Sequence, residues 1–125
     1  MKTKRILVVD DEPSVTRSLK LNLEHTLRYE VRTENDATRA VAVARDFHPH
    51  LILLDVVMPG FDGRDVSAHI HSDPELRYTP IVFLTALATN EDTSGQTMIA
   101  GSTVYIAKPV MLGELIRCME EQMRK

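Results

Sequence analysis

Apolar residues fall into two alternating textures along this chain. Unbroken runs stand at Ile6-Leu7-Val8-Val9, Leu51-Ile52-Leu53-Leu54, Ile81-Val82-Phe83-Leu84 and Val104-Tyr105-Ile106-Ala107. Elsewhere apolar residues recur every three or four positions, as in Val15, Leu19 and Leu23, or Leu112, Leu115, Ile116, Met119 and Met123. The runs read as strands buried on both faces, the spaced stretches as amphipathic helices. Turn chemistry marks the boundaries. Pro13 suits the first turn of a helix lasting to about His25, and Tyr29 to Thr33, with interleaved charges, reads as an edge strand. Asn35 or Asp36 caps a second helix with Ala37, Ala40, Val41 and Ala44 inward, and His48-Pro49 breaks it. Asp62-Gly63 opens a third helix carrying Val66 and Ile70, which Ser72-Asp73-Pro74 closes. The alternation calls for a helix over Thr89 to Ala100. Thr93-Ser94-Gly95 is poor helix material, so that stretch is expected to be irregular or mobile.

Five strand–helix units imply a parallel sheet with helices on both faces. Polar residues end four of the five strands: Asp10 and Asp11 the first, Asp55 the third, Thr85 the fourth and Lys108 the fifth. The expected architecture is a flavodoxin-like three-layer (βα)5 fold with a five-stranded parallel sheet in the order 2-1-3-4-5. That order sets its switch point between strands one and three and gathers these groups at one edge, where α/β sheets bind ligands.

Composition narrows the class. With 125 residues, 43% hydrophobic and 26% charged, residues 1–125 are expected to form one globular domain, with no effector domain within this sequence. A net charge of -3 without a basic patch argues against direct nucleic-acid binding. The single Cys118 excludes an internal disulfide, and no apolar run is long enough for a signal peptide or membrane span. The expectation is a cytoplasmic protein.

The clustered acids carry the chemistry. Three carboxylates close together repel one another and resist ionisation when buried, which a hard divalent cation relieves. Oxygen-only ligands suit Mg²⁺, or Mn²⁺ in its place. Lys108 adds a fixed positive charge that can pair with Asp55 and then with a phosphoryl oxygen, and Thr85 adds a hydroxyl donor. Asp55 beside a metal and a lysine is placed to attack phosphorus and carry an acyl phosphate. Taken singly these residues have plainer readings: Asp55 as a turn acid, Thr85 as a helix cap, Tyr105 as a half-buried strand aromatic. The His48/His50 and His69/His71 pairs have the wrong spacing for one helix face, which disfavours zinc. Cys118, beside the last helical stripe, reads as a packing residue.

These motifs in this order resemble the receiver domains of two-component response regulators from end to end. The resemblance rests on Asp10-Asp11, on Asp55-Val56-Val57-Met58-Pro59-Gly60-Phe61-Asp62-Gly63, on Thr85-Ala86, on Gly101 and Tyr105, and on Lys108-Pro109. It implies that Asp55 takes a phosphoryl group from a histidine kinase or histidine phosphotransfer protein. Asp11, Asp55 and the backbone carbonyl of Val57 would hold Mg²⁺, with Asp10 acting through water. Thr85 and Tyr105 would form a switch pair, and the Lys108–Pro109 bond would be cis. The face made by the fourth helix, fifth strand and fifth helix would meet a downstream effector or a second copy. Such a domain is a phosphoacceptor, not an enzyme in its own right.

Three positions depart from the family's habit. Val57 and Leu87, two residues after Asp55 and Thr85, are apolar where polar residues often guide hydrolytic water, so the phosphoryl group is expected to be long-lived. His50 replaces a frequent Asp before the central strand, with only a surface effect expected. Other classes fit less well. A haloacid-dehalogenase-type hydrolase wants an Asp where Val57 stands, and a flavin or nucleotide binder wants a phosphate loop where Asp10-Asp11-Glu12 puts negative charge. A scaffold-only receiver would not need the full acid, lysine and threonine set.

Overall fold

Each unbroken apolar run is a strand in the computed structural model, which describes residues 3–86, 97–100 and 103–124. In chain order the elements are β1 (Lys4–Val9), α1 (Pro13–His25), β2 (Tyr29–Glu34), α2 (Ala40–Phe47), β3 (Leu51–Asp55), β4 (Val57–Met58), β5 (Phe61–Asp62), α3 (Gly63–His71), β6 (Ile81–Thr85), β7 (Thr97–Ala100), β8 (Thr103–Ala107) and α4 (Leu112–Met123). A 3₁₀ turn at Ala37–Arg39 precedes α2. The main sheet runs β2-β1-β3-β6-β8-β7. Its first five strands are parallel, so they keep the expected order, with β2 at one edge.

The sixth strand was not expected. β7 pairs antiparallel with β8, Ala100 opposite Thr103, so the described end of the Thr89 to Ala100 stretch is strand rather than helix. Residues 89–96 lie outside the described residues. The reason is local: Thr97-Met98-Ile99-Ala100 lies close enough in sequence to β8 for the two to pair directly. Pairing there satisfies backbone groups that β8 would otherwise leave at an open edge.

Strand periodicity divides the core. Ile6, Val8, Leu51, Leu53, Leu84 and Ile106 face α1 and α4, packing on Leu19, Leu23, Leu115 and Met119. Leu7, Val9, Ile52, Leu54 and Phe83 face α2 and α3, packing on Ala40, Ala44, Phe47, Val66 and Ile70. Cys118 is buried in the first of these layers, as a packing residue would be. No described helix is long and apolar enough to cross a membrane.

Polar ties close the frame. Glu120 of α4 accepts the Tyr29 hydroxyl at 2.6 Å and pairs with Lys4 at 3.2 Å and Arg28 at 3.5 Å. Burial and that hydrogen bond hold the Tyr29 hydroxyl well above its ordinary range. Arg45 of α2 pairs with Asp73, whose carboxyl is held low by the Glu75 backbone N–H and by Arg45. His48, at φ 52°, ends α2 in the left-handed region. His50 does more than sit on the surface: its Nδ1 accepts the Arg5 backbone N–H at 2.8 Å, joining the starts of β1 and β3. Partial burial, then Arg5 and Lys4, lower its affinity for a proton.

Candidate functional site

Parallel pairing brings the ends of β1, β3, β6 and β8 side by side. Val9 lies opposite Leu54, Asp55 opposite Leu84, and Thr85 opposite Ala107. Asp10, Asp11 and Asp55 therefore converge, with one carboxylate oxygen from each lying within 4.8 Å of the others. Asp10 is fully buried, and Asp55 is 4% exposed. The Lys108 ammonium stands 2.8 Å from Asp10 Oδ2, 3.5 Å from Asp55 Oδ1 and 3.7 Å from Glu12. Lys108 thus meets Asp10 more closely than Asp55, a preference the sequence did not announce. Burial lowers the ammonium's proton affinity, but Asp10 first, then Asp55 and Glu12, outweigh it and raise the pKa.

Asp55 is the perturbed acid. Burial, then the neighbouring Asp10 charge, push its carboxyl up to about 6 against the pull of Lys108 and the Val57 backbone N–H, which bonds the carboxylate. Asp10 Oδ1 accepts the Glu12 backbone N–H at 3.0 Å. Its Oδ2 is buried against the Lys108 ammonium.

The charge balance decides whether a metal fits. Three convergent carboxylates face the Lys108 ammonium, leaving excess negative charge in a largely buried place. A hard divalent cation with oxygen ligands offsets that excess. Receiver domains bind Mg²⁺ at such an acidic pocket, and the residues present here fit it.

The loop after Asp55 is built to a tight tolerance. β4 and β5 form a small antiparallel hairpin, Val57 opposite Asp62, turned through Pro59-Gly60. Gly60 has φ +75°, the value a type II turn needs after proline. Asp62 caps α3 by accepting the Arg64 N–H at 2.9 Å. Gly63 then donates to the Val56 carbonyl at 2.6 Å. A Cβ on Gly63 would stand 2.1 Å from the Asp55 carbonyl oxygen, so only glycine lets α3 start this close to the acid. Sequence reading saw Gly63 as a helix start and missed this contact.

The remaining candidates lie close by. Thr85 is buried at the end of β6, and its carbonyl accepts the Lys108 backbone N–H at 2.8 Å. Tyr105 is half-buried and stacked on Phe83, ring centroids 5.4 Å apart, on the α2/α3 side of the sheet. The Lys108–Pro109 bond is cis. Val57 has 62% of its surface exposed. Leu87 and Gly101 lie outside the described residues. Where a fourth helix was to flank Tyr105, the described backbone supplies β7 instead.

Known proteins share this arrangement. The family profile for the response regulator receiver domain matches residues 6–120. The chain is 42% identical over 108 residues to the response regulator PleD of Caulobacter vibrioides, covering 85% of this chain and 23% of PleD. It is 30% identical over 118 residues to the polar-differentiation response regulator DivK of Brucella ovis, covering 94% of each. It spans 49% of the transcriptional regulator RpaA of Synechocystis, at 31% identity over 97% of this chain. The chain is thus far shorter than PleD and RpaA. A crystal structure from Chloroflexus aurantiacus superposes with a TM-score of 0.81 at 28% identity, covering 99% of this chain and 100% of that one. The Francisella response regulator 1452 receiver domain, at 23% identity and a TM-score of 0.77 over 98% of each chain, shares the fold. Since the match runs through all four strand ends that carry the acids, Thr85 and Lys108, this chain belongs to the response regulator receiver domain family.

Proposed function

We propose that this receiver domain is a phosphoacceptor whose Asp55 takes a phosphoryl group from a histidine kinase or histidine phosphotransfer protein in the cytoplasm. The carrying observation is the convergence of Asp10, Asp11 and Asp55 within 4.8 Å beside Lys108. A carboxyl with its pKa at about 6 is ionised at neutral pH and still basic for an aspartate, which suits a nucleophile. An Asp55 oxygen forms a bond to phosphorus as the phosphorus–nitrogen bond of the phosphohistidine breaks, and the imidazole leaves with its electron pair. Asp11, Asp55 and the Val57 carbonyl would hold Mg²⁺, with Asp10 acting through water, and the bound ion would supply positive charge for the phosphoryl oxygens. Lys108, released from its contact with Asp10, pairs with one of those oxygens, and the Thr85 hydroxyl donates to another. Tyr105 follows Thr85, and the face carrying β8 and α4 changes its affinity for an effector or a second copy. The net charge of -3 supports a protein partner and not nucleic acid.

Intact mass after incubation with Mg²⁺ and acetyl phosphate tests this, beside Asp55→Asn. The expected result is one added phosphoryl group in the wild type only, as acetate leaves. Sedimentation and amide spectra of the same sample then show a change confined to the β8/α4 face. No mass gain from a folded domain would refute the reading.

A further inference from the structure

Chemistry enters the pocket from β1, β3, β6 and β8, while β2 supplies none of it. The residue just after β2 nevertheless reaches in. Asn35 Nδ2 donates to the backbone carbonyl of Asp10 at 2.7 Å and to Thr16 Oγ1 at 3.1 Å. A carbonyl accepts only, so this contact fixes which end of the amide points inward. Helix capping does not account for the residue. Asp36 caps the 3₁₀ turn before α2, its carboxylate accepting the Thr38 N–H at 3.0 Å and the Thr38 hydroxyl at 2.6 Å. The Asp10 N–H meanwhile donates to the Glu34 carbonyl at 3.1 Å. Consecutive residues Glu34 and Asn35 thus hold both backbone groups of Asp10. Thr16, 3% exposed, passes the link into the first turn of α1, its hydroxyl donating to the Pro13 carbonyl at 3.2 Å.

We infer that Asn35 is a positioning residue for the acid pair, fixing the Asp10–Asp11 turn between β1 and α1 so that its carboxylates are ordered before a cation arrives. The inference rests on the phosphoacceptor reading of the pocket. One amide bridges the strand end and the helix start on either side of that turn. Removing it leaves the buried Asp10 carbonyl without its donor and gives the turn freedom that cation binding must then quench. The loss falls on cation affinity, while the step at Asp55 is unchanged once the site is loaded.

The test uses the full chain and Mn²⁺ as the probe, with binding followed by loss of the free-ion electron paramagnetic resonance signal. Asn35→Ala should bind Mn²⁺ about tenfold more weakly, the lower end for partners that orient metal ligands. Thr16→Ser, which keeps the hydroxyl, should retain wild-type affinity, and Thr16→Val should lose part of it. Phosphorylation by acetyl phosphate should need correspondingly more Mg²⁺ for half-maximal rate, with the saturating rate within about twofold of wild type. Wild-type Mn²⁺ affinity in Asn35→Ala overturns the inference, even if that variant melts earlier. If Asn35→Ala does not fold, unmoved affinity in Thr16→Val overturns it instead. A wild type that binds Mn²⁺ without gaining phosphate removes the phosphoacceptor reading and leaves the Mn²⁺ comparison standing. A wild type that binds no Mn²⁺ removes both.

Discussion

Replacing Asp55 by Asn should make the metal-free domain more stable at neutral pH. Folding places the Asp55 carboxyl among buried surroundings beside Asp10, raising its pKa from 3.8 to about 6. The folded state therefore holds this proton more tightly than the unfolded state does. Stability is greatest with Asp55 protonated, falls as pH rises from about 4 to about 6, and is level above that range. A rise of that size corresponds to at most about 3 kcal/mol. The pocket mouth is wet beside Glu12, whose side chain is 60% exposed, so screening leaves about 1–2 kcal/mol. Asn cannot ionise and escapes this cost. The assay is urea unfolding in EDTA at several pH values, wild type beside Asp55→Asn. The variant's advantage should reach full size near pH 7.5 and vanish near pH 4. Adding Mg²⁺ at ten times its dissociation constant should return about 1.4 kcal/mol to the wild type and less to the variant. A variant no more stable than wild type at pH 7.5, or an advantage that persists undiminished at pH 4, would refute the reasoning.

Two further outcomes follow from the loop after Asp55. Gly63→Ala drives a Cβ into the Asp55 carbonyl and should cost about 2–4 kcal/mol in urea unfolding, with weaker Mn²⁺ binding; a loss under about 1 kcal/mol would mean the backbone yields there. Val57→Asn puts an amide where an exposed apolar side chain stands at the pocket mouth, and should hasten loss of phosphate severalfold in a timed intact-mass assay. Rapid loss from the wild type, unchanged in the variant, would discard the long-lived phosphoryl group.

Much of this site was legible because buried parallel strands write themselves plainly: a run of apolar residues stops where the chain meets water or chemistry. Asp10, Asp55, Thr85 and Lys108 each follow such a run, and one sheet order brings them together. What stayed hidden depends on distances rather than patterns. Nothing in the spelling of Lys108 says that it will stand nearer Asp10 than Asp55. Asn35 and Asp36 are both competent caps, and only the fold reveals that Asp36 caps the 3₁₀ turn leading into α2 while Asn35 turns to the Asp10 carbonyl. Gly63 reads as a helix start until the neighbouring carbonyl is in view. β7 was hidden for another reason. Strict alternation argues for a helix there, and antiparallel pairing of Thr97–Ala100 with β8 breaks that alternation.

The ties of Glu120 bear on how the chain is made. Its partners Lys4, Arg28 and Tyr29 leave the ribosome at least 91 residues before Glu120 does. Until Leu115, Cys118 and Met119 follow, α1 is the one helix among the described residues that covers the sheet face formed by Ile6, Val8, Leu51 and Leu53. During synthesis the nascent domain therefore carries a half-bare apolar sheet, the kind of surface that chaperones hold. The closing element, α4, reaches that face only after every strand beneath it has been made.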